Sequence, residues 1–503
     1  MSHFIQFQNF SVIYILTFLC LISFNARHKG GKPLLNYSKN IPANGFDNKP
    51  QKYKFTSLSS SGKYETFLYH LPDKPKDDSP QSDYINNSPK IKIPKVNFGT
   101  MPNKYTSYKF ENMTFREFLK VTNVGMEYPS LNAAEKYTLL KGLTHFVTKE
   151  PVEPIDNTCG KETYISMNCA KYSSVFNGER TKEEQNRIKI AHLIQFGFDS
   201  DVLEILLNEI YDEVDKFFII ESQETHFLQT PKELVWPILA KQKRFEKFLD
   251  KIVYIVLTQK IIRDFEKFYP RTDSVEDIWI GEKVQERFRW EAFKQWNEFH
   301  NNYFSNDDII GFGDCDEIPS FQNLRLLKKC QMKGTTDIGI WFTFGQINKY
   351  FVSDYPVKNH SNTLGDPTYF ILREAKAKAK LDLLPTRNRG NSPFYLLGGL
   401  HLSRYRYLPS LLMKDLTQTE AENGNTFYSI FSNGLSTNEP MHSMALKLYK
   451  GHEDSRTEKG KYRDLKQEAL NTLPYLMPWF LECNLDRYPS FQKNPKPDPR
   501  VEP

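Results

Sequence analysis

Beyond Arg187 the chain is punctuated by short, nearly continuous apolar blocks: Ile188–Gln195, Lys216–Glu221, Ile252–Leu257 and Ile309–Phe312. Blocks of this length predict strands buried on both faces. Between them the period changes. Asp201–Tyr211 places Val202, Leu203, Ile205, Leu206 and Ile210 at helical spacing, with Asp199 or Ser200 as a cap. Pro231 opens a segment expected to stay helical to about Leu249, and Glu282–Phe304 reads as a long helix. Strands alternating with helices predict an α/β fold, a mostly parallel sheet flanked by helices. Ligands of such sheets bind beyond the carboxyl ends of the strands. Downstream, Ile338–Phe344 and Gln346–Phe351 read as strands and a possible hairpin, Tyr395–Ser403 as an apolar segment holding Gly398-Gly399, and Asp464–Tyr475 as a helix. Upstream, Phe115–Val121 and Ala133–Phe146 carry helical patterns.

The N-terminal part is different. Phe10–Ala26 holds no charge and is followed by Arg27, His28 and Lys29. With no small-x-small cleavage site, the run reads as an uncleaved signal anchor, a membrane attachment through residues 1–28. Residues 29–95 are rich in Pro, Ser, Lys, Asn and Asp and are expected to form a flexible stem. Residues 96–186 form an accessory region whose role the pattern does not reveal, 187–489 the main α/β domain, and 490–503 a disordered tail. The basic flank places the body in the cytosol by charge asymmetry alone. Four Asn-x-Ser/Thr sites, at Asn36, Asn86, Asn112 and Asn359, point instead to the lumen. Of six cysteines, five lie beyond the apolar run. Cys159 and Cys169 are close enough to close a short disulfide loop, Cys330 could meet Cys483, and Cys315 is the one expected to stay reduced.

Composition adds little to this picture. At 503 residues, 39% hydrophobic and 25% charged, the chain is ordinary globular protein with room for a large core. Its formal net charge of +6 is spread along the chain, and no basic stripe argues for nucleic acid.

The candidate chemistry gathers in Asn306–Ser320, NDDIIGFGDCDEIPS. An apolar strand delivers Asp314, Asp316 and Glu317 onto a turn. Carboxylates this dense repel one another and are costly to desolvate unless a cation sits among them. Hard oxygen ligands suit magnesium or manganese. The plain alternative is a solvated acidic turn capping a strand. Glu221 also ends a strand, where it could contact a ligand or cap the strand. His401, beside Gly398-Gly399, is either structural or a third metal ligand or phosphate contact. No Cys/His set has zinc spacing.

Taken in order, these pieces resemble glycosyltransferase family 17. The matching segments are DSDVLEILLNEIYDEVDKFFIIESQETHFLQTPK, KIVYIVL, the helix around Gln285–Arg287, DDIIGFGDCDEIP and GGLHLS, between about Arg187 and Pro489. The resemblance implies a GT-A-like catalytic domain in a single-pass type II Golgi membrane protein with a lumenal body. It implies transfer of GlcNAc from UDP-GlcNAc onto a mannose of glycoprotein N-glycans, in β-1,4 linkage. A divalent cation, Mn2+ or Mg2+, would be held by Asp314, Asp316 and His401 and would neutralise the departing diphosphate of the UDP-sugar. Glu221 would contact uridine or ribose, Arg287 phosphate, and Glu317 would be the adjacent candidate for a general base. The chain departs from the family at Gln195-Phe196-Gly197-Phe198, where an Asn-Glu pair is usual, and at Leu400, where the family has an aromatic. A non-catalytic glycan-binding member of the fold and a metal-dependent hydrolase are the competing readings.

Overall fold

In the computed structural model the described residues are 64–67, 69 and 95–502, apart from 157–159, 162–164, 227–229, 269–279, 348, 352–366, 382, 389–391, 404, 418–433, 448–461, 465–476 and 493. The apolar N-terminal run, Asn36, Asn86, Asn359, Cys159 and nearly all of the helix expected at Asp464–Tyr475 lie outside them. Among the described residues no helix is long and apolar enough to cross a membrane. Asn112 is exposed, at the end of a short 3-10 turn, Phe110–Asn112.

The predicted parallel strands are present. In chain order the strands are β1 (Glu65–Phe67), β2 (Phe176–Glu179), β3 (Ile190–Phe196), β4 (Lys216–Ser222), β5 (Ile252–Leu257), β6 (Ile309–Asp314) and β7 (Glu317–Pro319). They continue with β8 (Cys330–Met332), β9 (Thr336–Phe344), β10 (Lys349–Phe351), β11 (Thr368–Ile371), β12 (Phe394–Ser403) and β13 (Tyr462–Asp464). One large sheet runs β1-β5-β4-β3-β6-β11-β9, with every pair from β1 through β6 parallel. Strand β11 enters antiparallel between β6 and β9, and β12 lies parallel to β9 and carries β7 antiparallel on its other edge. The expected hairpin is antiparallel, Tyr350 facing Thr343.

Alternate residues of the central strands feed two cores, as a sheet covered on both faces requires. Ile190, Ile194, Phe217, Ile219 and Tyr254 pack on one face with the helices Ala133–Val147, Ser200–Ile210, Phe321–Lys329 and Leu408–Thr417. Leu193, Phe218, Ile220, Val253, Ile255 and Phe312 pack on the other, against Phe288, Phe293 and Trp296 of helix Ile280–Phe299. That helix ends earlier than its pattern predicts because Asn301 and Asn302 both take positive φ, 53° and 58°. Helix Ser200–Ile210 was expected to be amphipathic, but every one of its residues is buried.

Three expectations are corrected. The segment after Pro231 is not one helix: Pro231 bridges to Glu224, a single turn forms at Trp236–Leu239, and 3-10 turns run from Lys243 to Lys251. Cys169 does not pair with Cys159 but with Cys330, 161 residues away, which also leaves Cys330 closed to Cys483. Cys483 is itself disulfide-bonded, and Cys315 is reduced and buried, as expected. The tail does not hang free either: Phe491, Asp498, Arg500 and Val501 are all buried.

The Cys169–Cys330 bond sits beside a small separate sheet in which Glu179 faces Cys330 and Phe176 faces Met332. It joins the upstream region to the catalytic body across a long loop, so it removes much of the freedom of the unfolded chain. Replacing Cys169 and Cys330 together by serine is expected to lower unfolding free energy by roughly 2–5 kcal/mol. Denaturant titration without reductant measures this; in reductant, where the bond of Cys483 opens as well, wild type and the double variant should converge.

Candidate active site

Beyond the carboxyl ends of β3, β4 and β6 lies an open cleft of about 610 Å³, lined by Gln195–Asp199, Ser222, Glu224–His226, Lys232, Gln285, Asp314–Asp316 and Thr417. The sheet topology dictates this position, since adjacent parallel strands present their C-terminal loops on one edge. Gln195 of β3 stands opposite Asp314 of β6, and the amide of Cys315 donates to the Gln195 carbonyl at 3.1 Å. The acidic turn is thereby tied to the first strand of the parallel set.

The structure brings Asp314 and Asp316 into the cleft together, each with its own cations. Asp314 lies 2.7 Å from Arg387 and 3.4 Å from Arg289, which also donates to the Gly313 carbonyl. Asp316 receives Lys414 at 2.9 Å and His401 at 3.3 Å, both on Oδ2. Burial alone would raise the Asp316 carboxyl, but Lys414 and His401 hold it far below the usual carboxylate range. Asp199 is a third acid of the cleft that the sequence offered only as a helix cap. It makes no capping bond, and burial pushes its carboxyl up to about 7 against the pull of Lys414.

Other predicted residues fall elsewhere. Glu221 is fully buried and accepts from Lys232 Nζ at 2.9 Å, the amides of Val235 and Trp236 at 2.6 and 3.0 Å, and the Tyr254 hydroxyl at 3.0 Å. Four donors on two oxygens make it the anchor of the loop after β4, not a uridine or ribose contact. Glu317 is 1% exposed, accepting from Arg387 at 2.6 Å and from the Asp314 amide at 3.0 Å. That burial removes it from the position of a general base. Arg287 is half-buried on its helix and does not line the cleft; Arg289, one half-turn on, faces Asp314 instead. His401 touches Asp316 and the edge of Phe342 but does not line the cleft, so it acts on the cleft only through Asp316.

Both departures from the family pattern are now interpretable. Leu400 is wholly buried, between Ile318 of β7 and Trp341 of β9, so its side chain fills core volume and presents no surface to a sugar. Phe196 is likewise 1% exposed, although it and the preceding Gln195 both border the cleft.

Sequence reasoning missed Arg387 and Lys414. Arg387 lies in a segment without apolar period and bridges Glu282, Glu286, Asp314 and Glu317. The only signal available was an acidic turn needing counter-charge. The described residues contain no ready-made set of three His, Cys, Asp or Glu for a metal. Asp314 and Asp316 nonetheless fit a magnesium-type ion, which characteristically takes one or two carboxylates and completes its shell with substrate phosphates and water. His401 stands behind Asp316, its Nε2 3.3 Å from Oδ2, and does not line the cleft.

Residues 149–357 match the model of glycosyltransferase family 17. The chain is also 24% identical over 171 residues to the beta-1,4-mannosyl-glycoprotein 4-beta-N-acetylglucosaminyltransferase of Rattus norvegicus, a match covering 34% of this chain and 28% of that relative. The matched family segment begins upstream of Arg187 and contains every cleft residue except Thr417. The resemblance read from the motifs therefore holds, and the cleft lies almost wholly within the segment that matches the glycosyltransferase family 17 model, while the chain spans less than a third of the length of that relative.

Proposed function

We propose that this chain transfers GlcNAc from UDP-GlcNAc onto a mannose of glycoprotein N-glycans, in β-1,4 linkage, from a GT-A-like domain in the Golgi lumen. One observation carries the reading: Asp314 and Asp316 converge, with buried cations behind them, on a cleft at the carboxyl ends of parallel strands. Breaking the anomeric C–O bond leaves negative charge on the diphosphate, and a divalent cation held by Asp314 and Asp316 would supply Lewis-acid stabilisation of that charge. Lys414 and His401 fix the Asp316 carboxylate, while Arg387 and Arg289 fix Asp314, so both acids are oriented before substrate arrives. The lumenal location is supported by the long-range disulfide and the exposed Asn112 site. The membrane attachment rests on the apolar run at Phe10–Ala26.

Purified protein incubated with UDP-GlcNAc, manganese and a biantennary N-glycan should release UDP and add one hexosamine, located by mass spectrometry after linkage analysis. Glycan binding without UDP release from any UDP-sugar would replace this reading with the non-catalytic one.

A further inference from the structure

The cleft wall carries the acids Asp199, Asp314 and Asp316. Beside them stand Gln195, His226 and Gln285, with Glu224 and Lys232 also in the wall, and the contacts among the first three are amide and imidazole. Gln195 Nε2 lies 2.8 Å from His226 Nε2 and 3.4 Å from Gln285 Oε1, and His226 Nε2 lies 3.0 Å from the same oxygen. Burial holds the imidazole of His226 below its ordinary value, so the cluster is neutral at physiological pH. The three side chains come from β3, the loop after β4 and helix Ile280–Phe299. That helix approaches His226 through Gly281, where a Cβ would stand 2.6 Å from the His226 carbonyl oxygen.

One atom of this cluster is left over. Gln195 is 6% exposed, and its Oε1 has no hydrogen-bond partner. A buried acceptor without a donor is costly, and in a cleft wall that cost points to a ligand that supplies the donor. With His226 in its Nδ1–H tautomer, Gln195 Nε2 donates to His226 Nε2 and to Gln285 Oε1, and Oε1 is the end turned away from them.

We propose that Gln195, held by His226 and Gln285, is the residue that reads the nucleobase of the sugar donor, accepting from the N3–H of uracil. This rests on the nucleotide-sugar reading above and assigns that site's specificity. Uracil presents a donor at N3, where cytosine presents a lone pair. A fixed acceptor therefore selects the first and repels the second. Gln195 stands in register with Asp314, which seats the neutral base beside the acids that receive the diphosphate.

The test is calorimetric binding of UDP, CDP, UDP-GlcNAc and pyrophosphate, each with manganese, to the full chain and to Gln195→Leu, with Gln195→Met as a second variant should the first fold poorly. Wild type is expected to prefer UDP over CDP by about tenfold. The variant should lose that preference while binding pyrophosphate as before. Retained discrimination in the variant overturns the assignment. So does a loss confined to UDP-GlcNAc, which would place the sugar at this cluster, and so does an equal loss for pyrophosphate. Wild type that binds no nucleoside diphosphate overturns the donor reading and this assignment with it. Wild type that binds UDP and CDP alike overturns the assignment alone.

Discussion

Asp316→Asn is expected to lower sugar transfer by at least about a hundredfold, the scale on which removal of one preorganised electrostatic group acts on kcat. The substitution keeps the volume and one acceptor oxygen but removes the charge that would hold a divalent cation at the diphosphate. It also has a structural cost. Lys414, only 8% exposed on its side chain, donates to Asp316 and to the Ser403 hydroxyl. Without the Asp316 charge its ammonium keeps only weaker company, with Asp199 the nearby acid, a loss of up to about 3–5 kcal/mol. The two effects separate in a second variant. Asp316→Asn combined with Lys414→Met should recover most of the thermal stability and none of the transfer. Steady-state kinetics with graded manganese, alongside melting temperatures of both variants, decide the matter. Asp316→Asn that transfers within a few-fold of wild type, with the same manganese requirement, would remove Asp316 from the chemistry.

The pairing between Lys414 and Asp316 also explains what could and could not be read from the sequence. Strands β3, β4, β5 and β6 announce themselves because a strand buried on both faces must be apolar throughout, a local property. The position of Asp314 and Asp316 follows from that, since strand ends are local too. Their partners do not follow. Arg387 reaches Glu317 across 70 residues and Lys414 reaches Asp316 across 98, from a loop with no period and from a helix with an ordinary core pattern. Nothing short of the fold brings them there. Glu221 was misread for a related reason: an acid at a strand end looks the same whether it faces a ligand or caps the turn Trp236–Leu239 through the amides of Val235 and Trp236. The same capture explains why the segment after Pro231 fails to continue as a helix. The cysteines misled by proximity. Cys159 and Cys169 are neighbours in sequence, yet β2 and β8 align Glu179 with Cys330 and bring that cysteine to Cys169. The side on which Leu400 falls was not legible either, because alternation along β12 is broken at Gly398-Gly399, where both glycines take positive φ, 141° and 126°, and the register to β9 shifts. The bulge turns Leu400 into the core and His401 toward Asp316.

Arg500→Ala is expected to destabilise the catalytic body by about 3–5 kcal/mol although it lies three residues from the C-terminus. Arg500 is 6% exposed. It donates to Asp201 at 2.8 Å and to Asp498 at 2.7 Å, and its guanidinium lies 4.1 Å over the ring of Tyr407. Asp201 lies in the first turn of helix Ser200–Ile210, two residues after the cleft residue Asp199, and its other oxygen receives Arg244 at 3.0 Å. Glu204, one turn along, is held by Arg244 and Arg487. The helix can therefore be buried on all sides only because cations from the tail and from the loop before β5 neutralise its acids. Burial raises the Asp201 carboxyl, but Arg500 and Arg244 outweigh it and set the folded value below the ordinary one. A carboxyl depressed in the folded state contributes stability above its unfolded value, near pH 4, and loses it as pH falls through the folded value. Wild type should accordingly lose stability below about pH 4 more steeply than Arg500→Ala, whose Asp201 retains one partner instead of two. Deleting residues 493–503 should reproduce the loss at neutral pH, because Asp498 serves mainly to orient Arg500. Urea unfolding at pH 7 and at pH 3.5 measures both effects. An Arg500→Ala protein within about 1 kcal/mol of wild type at pH 7 would mean the tail is not docked on the helix that follows Asp199.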